Sequence, residues 1–142
     1  GLGADLLVRT LRAAASGQLS PEPQGDAGAI YAPKLTRSLS PIRWDRPATT
    51  VHNQIRGLQP WPGATTFLGE RLLKVTASQF FSYRTSGAAP GTVLAVDERG
   101  LRVACGEGEL LVTAVQAPGR RPLPIAEFLR GCVVRPGDVI HS

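Results

Sequence analysis

The chain has 142 residues, a formal net charge of +5 and a pI near 10.0, with 42% hydrophobic and 19% charged residues. That length suits one domain, or one domain with an appended piece, and buries a core without staples. The composition excludes wholesale disorder, and no apolar run approaches the roughly 20 residues of a membrane-spanning helix. No signal peptide is recognisable. Cys105 and Cys132 are too few for a disulfide scaffold and read as small hydrophobes in a reducing cytoplasm. The chain opens on Gly1 and contains no methionine, which predicts a start after processing or within a longer protein.

Leu7, Leu11 and Ala14 recur at helical spacing, with Leu2, Val8 and Ala15 beside them. They predict a helix over the first seventeen residues, stopped at Gly17. One amphipathic helix cannot bury its own stripe, so it needs a partner. Residues 18–29, rich in Pro, Gly and polar side chains, read as a connector. Ile30, Tyr31 and Leu35, around Pro33, read as anchors of an extended segment that continues to about Ser40. Asp45 is expected to cap the next helix, with Pro47 in its first turn. Val51, Ile55 and Leu58 give that helix one apolar face. Gly57 and Pro60 mark its end, and residues 60–63 form a rigid turn.

The remainder reads as strand. Residues 65–68 and 71–81 flank a break at Gly69-Glu70, and 91–97, 100–105 and 109–116 are separated by tight-turn residues. A short helix over 125–129 follows, then a closing strand pair, 133–134 with 139–140, about Pro136-Gly137-Asp138. The expected fold is mainly β: a small OB-like, open β-barrel with a short helix at its entrance, preceded by an N-terminal helix and an extended linker.

Fourteen of the sixteen basic residues are Arg. Arg grips phosphate with a planar fork of donors; a GC-rich coding sequence would also enrich it. Residues 34–56 carry a local net charge of +4, 118–135 carry +3, and 95–117 between them carry −2. Two basic blocks on one face would form a footprint for a polyanion, whereas scattered they would be ordinary solvated surface. Catalytic chemistry is harder to find. His52 and His141 have no Cys, Asp or Glu at a useful spacing. His52 reads as a buried or capping residue and His141 as frayed surface. There is no CxxC and no paired His for a metal, so no metal site is expected. Gly1-Leu2-Gly3 and Gly106-Glu107-Gly108 lack the third glycine of a nucleotide loop. The chain reads as a binding module. With eight aromatics, Trp44 and Trp61 among them expected to pack the short helix onto the barrel, backbone and shape contacts to a folded RNA are favoured over base stacking.

Three runs carry a resemblance: Tyr31-Ala32-Pro33-Lys34-Leu35-Thr36, Ile42-Arg43-Trp44-Asp45-Arg46-Pro47-Ala48, and residues 52–64 (HNQIRGLQPWPGA). With Gly87-Ala88-Ala89-Pro90-Gly91-Thr92-Val93, Val103-Ala104-Cys105-Gly106, Phe128-Leu129-Arg130-Gly131 and Pro136-Gly137-Asp138, they resemble the bacterial methionyl-tRNA formyltransferases. Gly3-Ala4-Asp5-Leu6-Leu7 resembles the last helix of that family's catalytic domain. The resemblance implies that residues 1–28 are that helix and a connector, 29–41 a basic linker, and 42–142 an OB-like tRNA-binding domain.

The resemblance further implies a cytoplasmic, monomeric enzyme that moves a formyl group from 10-formyltetrahydrofolate to methionyl initiator tRNA. Its catalytic Asn, His and Asp would lie upstream, so this chain is expected to be inactive alone and to bind no cofactor. Its expected partners are methionyl initiator tRNA and an N-terminal catalytic domain, with no membrane. The resemblance places Lys34 and Arg37 at the basic linker positions and Arg56 after the His-Asn-Gln-Ile run. Arg120 and Arg121 match a basic pair usually rich in Lys. Arg43 stands where the family often has an acid, adding positive charge, and Asp45 where it often has Ser. Residues 78–85 (SQFFSYRT) depart from the pattern, and no role is carried onto them. Two other readings remain: a scaffold barrel of a related folate- or sugar-directed formyltransferase or hydrolase, and a free-standing OB-type RNA-binding module.

Overall fold

Glycine sets the first boundary. In a computed structural model describing residues 1–23, 25 and 27–142, helix α1 spans Leu2–Ala15, and Gly17 beyond it takes φ = 68°. The Gly17 N–H donates to Ala14 O and the Gln18 N–H to Ala13 O at 2.9 Å. These paired bonds close a helix and favour a residue without Cβ in the left-handed region. Gln24 and Asp26 of the expected connector lie outside the described residues. The chain divides into two units, Gly1–Pro33 and Lys34–Ser142. In the first, no α1 residue is buried. Ile30 and Tyr31, expected as anchors, are 91% and 87% exposed.

The second unit is mainly β, as its alternating and β-branched runs predict. Its strands are β1 (Ala64–Leu68), β2 (Arg71–Ser82), β3 (Val93–Asp97), β4 (Gly100–Ala104), β5 (Glu109–Gln116), β6 (Leu123–Pro124) and β7 (Ile140–His141). All pair antiparallel in the order β3-β4-β5-β2-β1-β7, with β6 also on β5. Three register shifts opposite β5 bend the twelve-residue β2 and curl the sheet. The two edges meet through a Thr92–Val139 bridge, with Ile140 N–H donating to Gly91 O at 2.9 Å and Val93 N–H to Asp138 O at 2.8 Å. The result is a small, partly open barrel.

Helix α2 (Ala48–Gly57) lies across β2 and β5 and buries Ala48, Val51 and Ile55. They join Ile42, Val75, Val93, Val103, Leu110 and Ile125 in one core. The short α3 (Ile125–Phe128) covers another part of it. Asp45 does not cap α2, contrary to expectation. Pro47 itself holds the cap position, with no side-chain cap bond. Instead, the Ala48 N–H donates to Glu107 O at 2.8 Å, and Gly106 N–H to Trp44 O at 2.9 Å. The β4–β5 turn thus satisfies the start of the helix. A Cβ on Gly106 would overlap the Asp45 carbonyl, so the approach needs glycine there.

Other expectations fail where pairing is non-local. Val133 and Val134 form no strand. The last strand pairs with β1, and the Pro136-Gly137-Asp138 turn hangs on β3 through Gly137 N–H to Val93 O at 2.8 Å. Residues 37–39 form a 3-10 turn rather than extended chain. His141 is not frayed: it lies in β7, its ring stacked on Phe67 at 5.6 Å. Trp44 is 4% exposed and packs in the core, but Trp61 is 53% exposed. No helix among the described residues is long and apolar enough to cross a membrane.

Candidate nucleic-acid interface

The first basic block lies along the outer side of α2. Gln54 points away from the buried Val51–Ile55 stripe, and its Nε2 donates to Leu39 O and Pro41 O, each at 2.9 Å. Those two bonds hold the linker beside the helix. Leu35 and Leu39 then border a shallow groove with Arg43, Arg46, Thr50 and Gly57. Lys34 and Arg37 lie close to these two leucines in the chain, and both are exposed. Among the described residues neither forms an ion pair, and nor does Arg46. Arg56 is exposed at the end of α2, its Nη2 donating to Asn53 Oδ1 at 3.2 Å.

Arg43 differs from the others. Its Nε donates to Asp45 Oδ1 and its Nη2 to Asp45 Oδ2, each at 3.0 Å. The hydrogen bond from Arg43 holds the Asp45 carboxyl below its ordinary range, and the same pair raises the Arg43 guanidinium. The side chains are 59% and 54% exposed, so the pair adds little stability. It does cancel the charge that Arg43 would otherwise offer.

The second block lies beyond β5. Arg120, Arg121 and Arg130 surround an open depression of about 700 Å³, with Glu127 at its edge. Arg121 Nη2 contacts Glu127 Oε2 at 3.4 Å, a long and exposed pair. Arg120 and Arg130 form no ion pair among the described residues. The turn is anchored to the strand by Gln116 Nε2, which donates to Arg120 O at 2.6 Å.

Strand register connects the blocks. Ser40, at the end of the Arg37–Leu39 turn, accepts the Thr65 N–H at 2.7 Å, and Pro41 bridges Thr65. Thr65 pairs with Lys74, and Lys74 with Gln116. One row of residues therefore runs from the linker across β1, β2 and β5 to the Arg120 turn. Three strand spacings make it about 14 Å long. The turn that begins at Arg37 and ends at Ser40 stands at one end, with Lys34 three residues before it in the chain, and Arg120, Arg121 and Arg130 lie near the other. Lys74 is a basic position that sequence reasoning missed, whereas Arg46 and Arg130 belong to the two basic blocks without having been singled out as contacts. Alternation along 71–81 places Lys74 outward, but only the register shows what it lies between.

The acidic block stays outside this row. Glu109 contacts Arg102 at 3.4 Å, and Arg102 lies 5.1 Å over the Phe81 ring. His52 Nδ1 is 2.9 Å from Ser78 Oγ. Burial, and then Arg56, hold its pKa below the ordinary value. Both cysteines are free thiols; burial, helped by Glu109, pushes Cys105 up to about 12. No group of three or more His, Cys, Asp or Glu among the described residues is arranged for a metal. The arrangement offers unpaired guanidinium and ammonium groups on a rigid sheet, suited to holding phosphates.

The formyl transferase C-terminal domain family matches residues 34–133. Methionyl-tRNA formyltransferase of Citrifermentans bemidjiense is 42% identical over 139 residues, 98% of this chain and 43% of that protein. That of Trichlorobacter lovleyi is 44% identical over 130 residues, 92% of this chain and 40% of that protein. The chain thus spans less than half the length of these relatives. Among solved structures, HypX from Aquifex aeolicus, in complex with tetrahydrofolic acid, superposes with a TM-score of 0.64 at 19% identity, covering 88% of this chain and 22% of that one. At that identity the likeness is one of fold.

Proposed function

The chain belongs to the formyl transferase C-terminal domain family, and from that membership we propose that it is the tRNA-binding part of a methionyl-tRNA formyltransferase. The observation that carries this reading is the pair of basic blocks at the two ends of one sheet row. Lys34 and Arg37 grip the RNA backbone on one side, and Arg120 and Arg121 on the other. Arg56 steadies the end of α2 beside them. Arg43 contributes less, because Asp45 occupies its guanidinium.

In the whole enzyme an N-terminal catalytic domain binds 10-formyltetrahydrofolate and passes its formyl group to the amino group of methionyl initiator tRNA. That domain supplies the reacting groups, and this chain supplies grip and orientation. The chain holds no cofactor and acts as a monomer in the cytoplasm. The reading is supported by bacterial relatives similar to this chain that are named methionyl-tRNA formyltransferases.

The reading is tested by titrating the 142-residue chain with initiator tRNA and with an unstructured oligonucleotide of equal length. Backbone and shape recognition predicts tighter binding of the folded tRNA. A variant carrying Glu at Lys34, Arg37, Arg120 and Arg121 should lose most of that affinity. Equal binding of the two ligands, or full retention by the variant, contradicts the proposal.

A further inference from the structure

Lys74 is the one basic side chain inside the row that links the two blocks. Thr65 pairs with it on one side and Gln116 on the other. These three line a shallow outer depression of about 240 Å³ together with Leu72 and residues 117–119. The Lys74 side chain is half-buried, and its Nζ forms no ion pair among the described residues. Its Cδ, Cε and Nζ lie where a Cβ of Gly63 would project. Gly63 closes the 60–63 turn at φ = 84°, and its N–H donates to Leu58 O at 2.8 Å. The missing side chain therefore leaves a slot that the Lys74 stem fills. The end of the Lys74 side chain thus lies over the Gly63 backbone, beside the row.

We infer that Lys74 is the central phosphate contact of the RNA surface and that Gly63 is its positioning residue. The RNA backbone then crosses β1, β2 and β5 transversely, from Arg37 over Lys74 to Arg120. Over about 14 Å of sheet, one central cation converts two separate basic ends into a continuous track. The groups facing the track are Thr65, Gln116 and the 117–119 backbone, none of them charged. An ammonium with no ion-pair partner in a neutral, concave setting fits a phosphodiester oxygen. This inference rests on the tRNA-binding reading and adds a residue and a direction to it.

The test measures the log–log salt dependence of initiator-tRNA affinity for the wild-type chain, K74Q, K74R, G63A and the double variant G63A/K74Q. Loss of one phosphate contact lowers the slope by about one unit, and affinity by about five- to tenfold near 0.1 M salt. K74Q should show both changes, and K74R should restore the slope. G63A also strains the 60–63 turn at φ = 84°, so binding is compared at equal folded fraction; there it should weaken binding and add little on top of K74Q, because both act through the same ammonium. A merely structural Lys74 would shift affinity without changing the slope, and that result overturns the inference. A K74Q slope equal to a clear wild-type slope also overturns it, while leaving the tRNA-binding reading standing. Additive effects of G63A and K74Q remove Gly63 from its positioning role. A wild-type chain with no salt slope overturns both the reading and the inference.

Discussion

The Trp44 indole donates from Nε1 to Thr66 Oγ1 at 3.0 Å, and Thr66 Oγ1 donates onward to His141 O at 2.8 Å. Trp44 and Thr66 are 4% and 3% exposed, so this relay ties the segment before α2, strand β1 and the closing strand β7 largely out of solvent. Thr66→Val keeps the shape and removes both bonds, leaving a buried N–H unsatisfied. The expected loss is about 1–3 kcal/mol, read as a lower denaturant midpoint at unchanged m-value. Unchanged stability would show that the relay is not needed to close the barrel.

Asp45 restrains the basic block it adjoins. Asp45→Asn removes the carboxylate from Arg43 and frees a guanidinium for phosphate. Initiator tRNA should bind more tightly, with a salt slope steeper by up to about one unit. Stability should hardly move, because the pair is exposed. Weaker binding on substitution would mean that Asp45 orders the surface rather than masking it.

His52 makes stability depend on pH. Its folded pKa lies below its ordinary value through burial and Arg56. The unfolded chain therefore binds its proton first as pH falls. Stability should be complete above about pH 6.5, decline as pH falls from there, and level off below the folded pKa. His52→Gln keeps a polar partner for Ser78 and should flatten that part of the profile. A wild-type profile with no slope below pH 6.5 beyond that of the variant would contradict this assignment.

Thiol reactivity should separate the two cysteines. Cys105 is buried, with its pKa pushed up to about 12, while Cys132 is half-buried. A maleimide at neutral pH should label Cys132 in the folded chain and reach Cys105 only after unfolding. Equal labelling rates in the folded chain would contradict the packing around Cys105.

Local chemistry made part of this fold legible. Val51 and Ile55 at helical spacing, and the β-branched run 109–116, marked α2 and β5 because each pattern needs only its own residues. Gly17 likewise marked the end of α1. The failures arise where a distant partner decides. Leu123–Pro124 is a strand only because β5 accepts it, although prolines flank and end the pair. Val133 and Val134 look like strand residues, but β1 pairs with Ile140–His141 instead. The candidate site divides the same way. The two charge blocks stood out in the sequence, and the resemblance picked out Lys34, Arg37, Arg120 and Arg121 within them. The cancellation of Arg43 by Asp45 needed the turn geometry, and the place of Lys74 between the blocks needed the register of three strands.

The most direct measurement is the affinity of the 142-residue chain for initiator tRNA across a salt series, beside the variant with Glu at Lys34, Arg37, Arg120 and Arg121. A phosphate-gripping surface predicts a clear negative log–log slope that shrinks in the variant by up to about one unit per lost contact. A flat wild-type slope, or a variant slope equal to the wild-type one, would contradict the claim that these blocks are where tRNA docks.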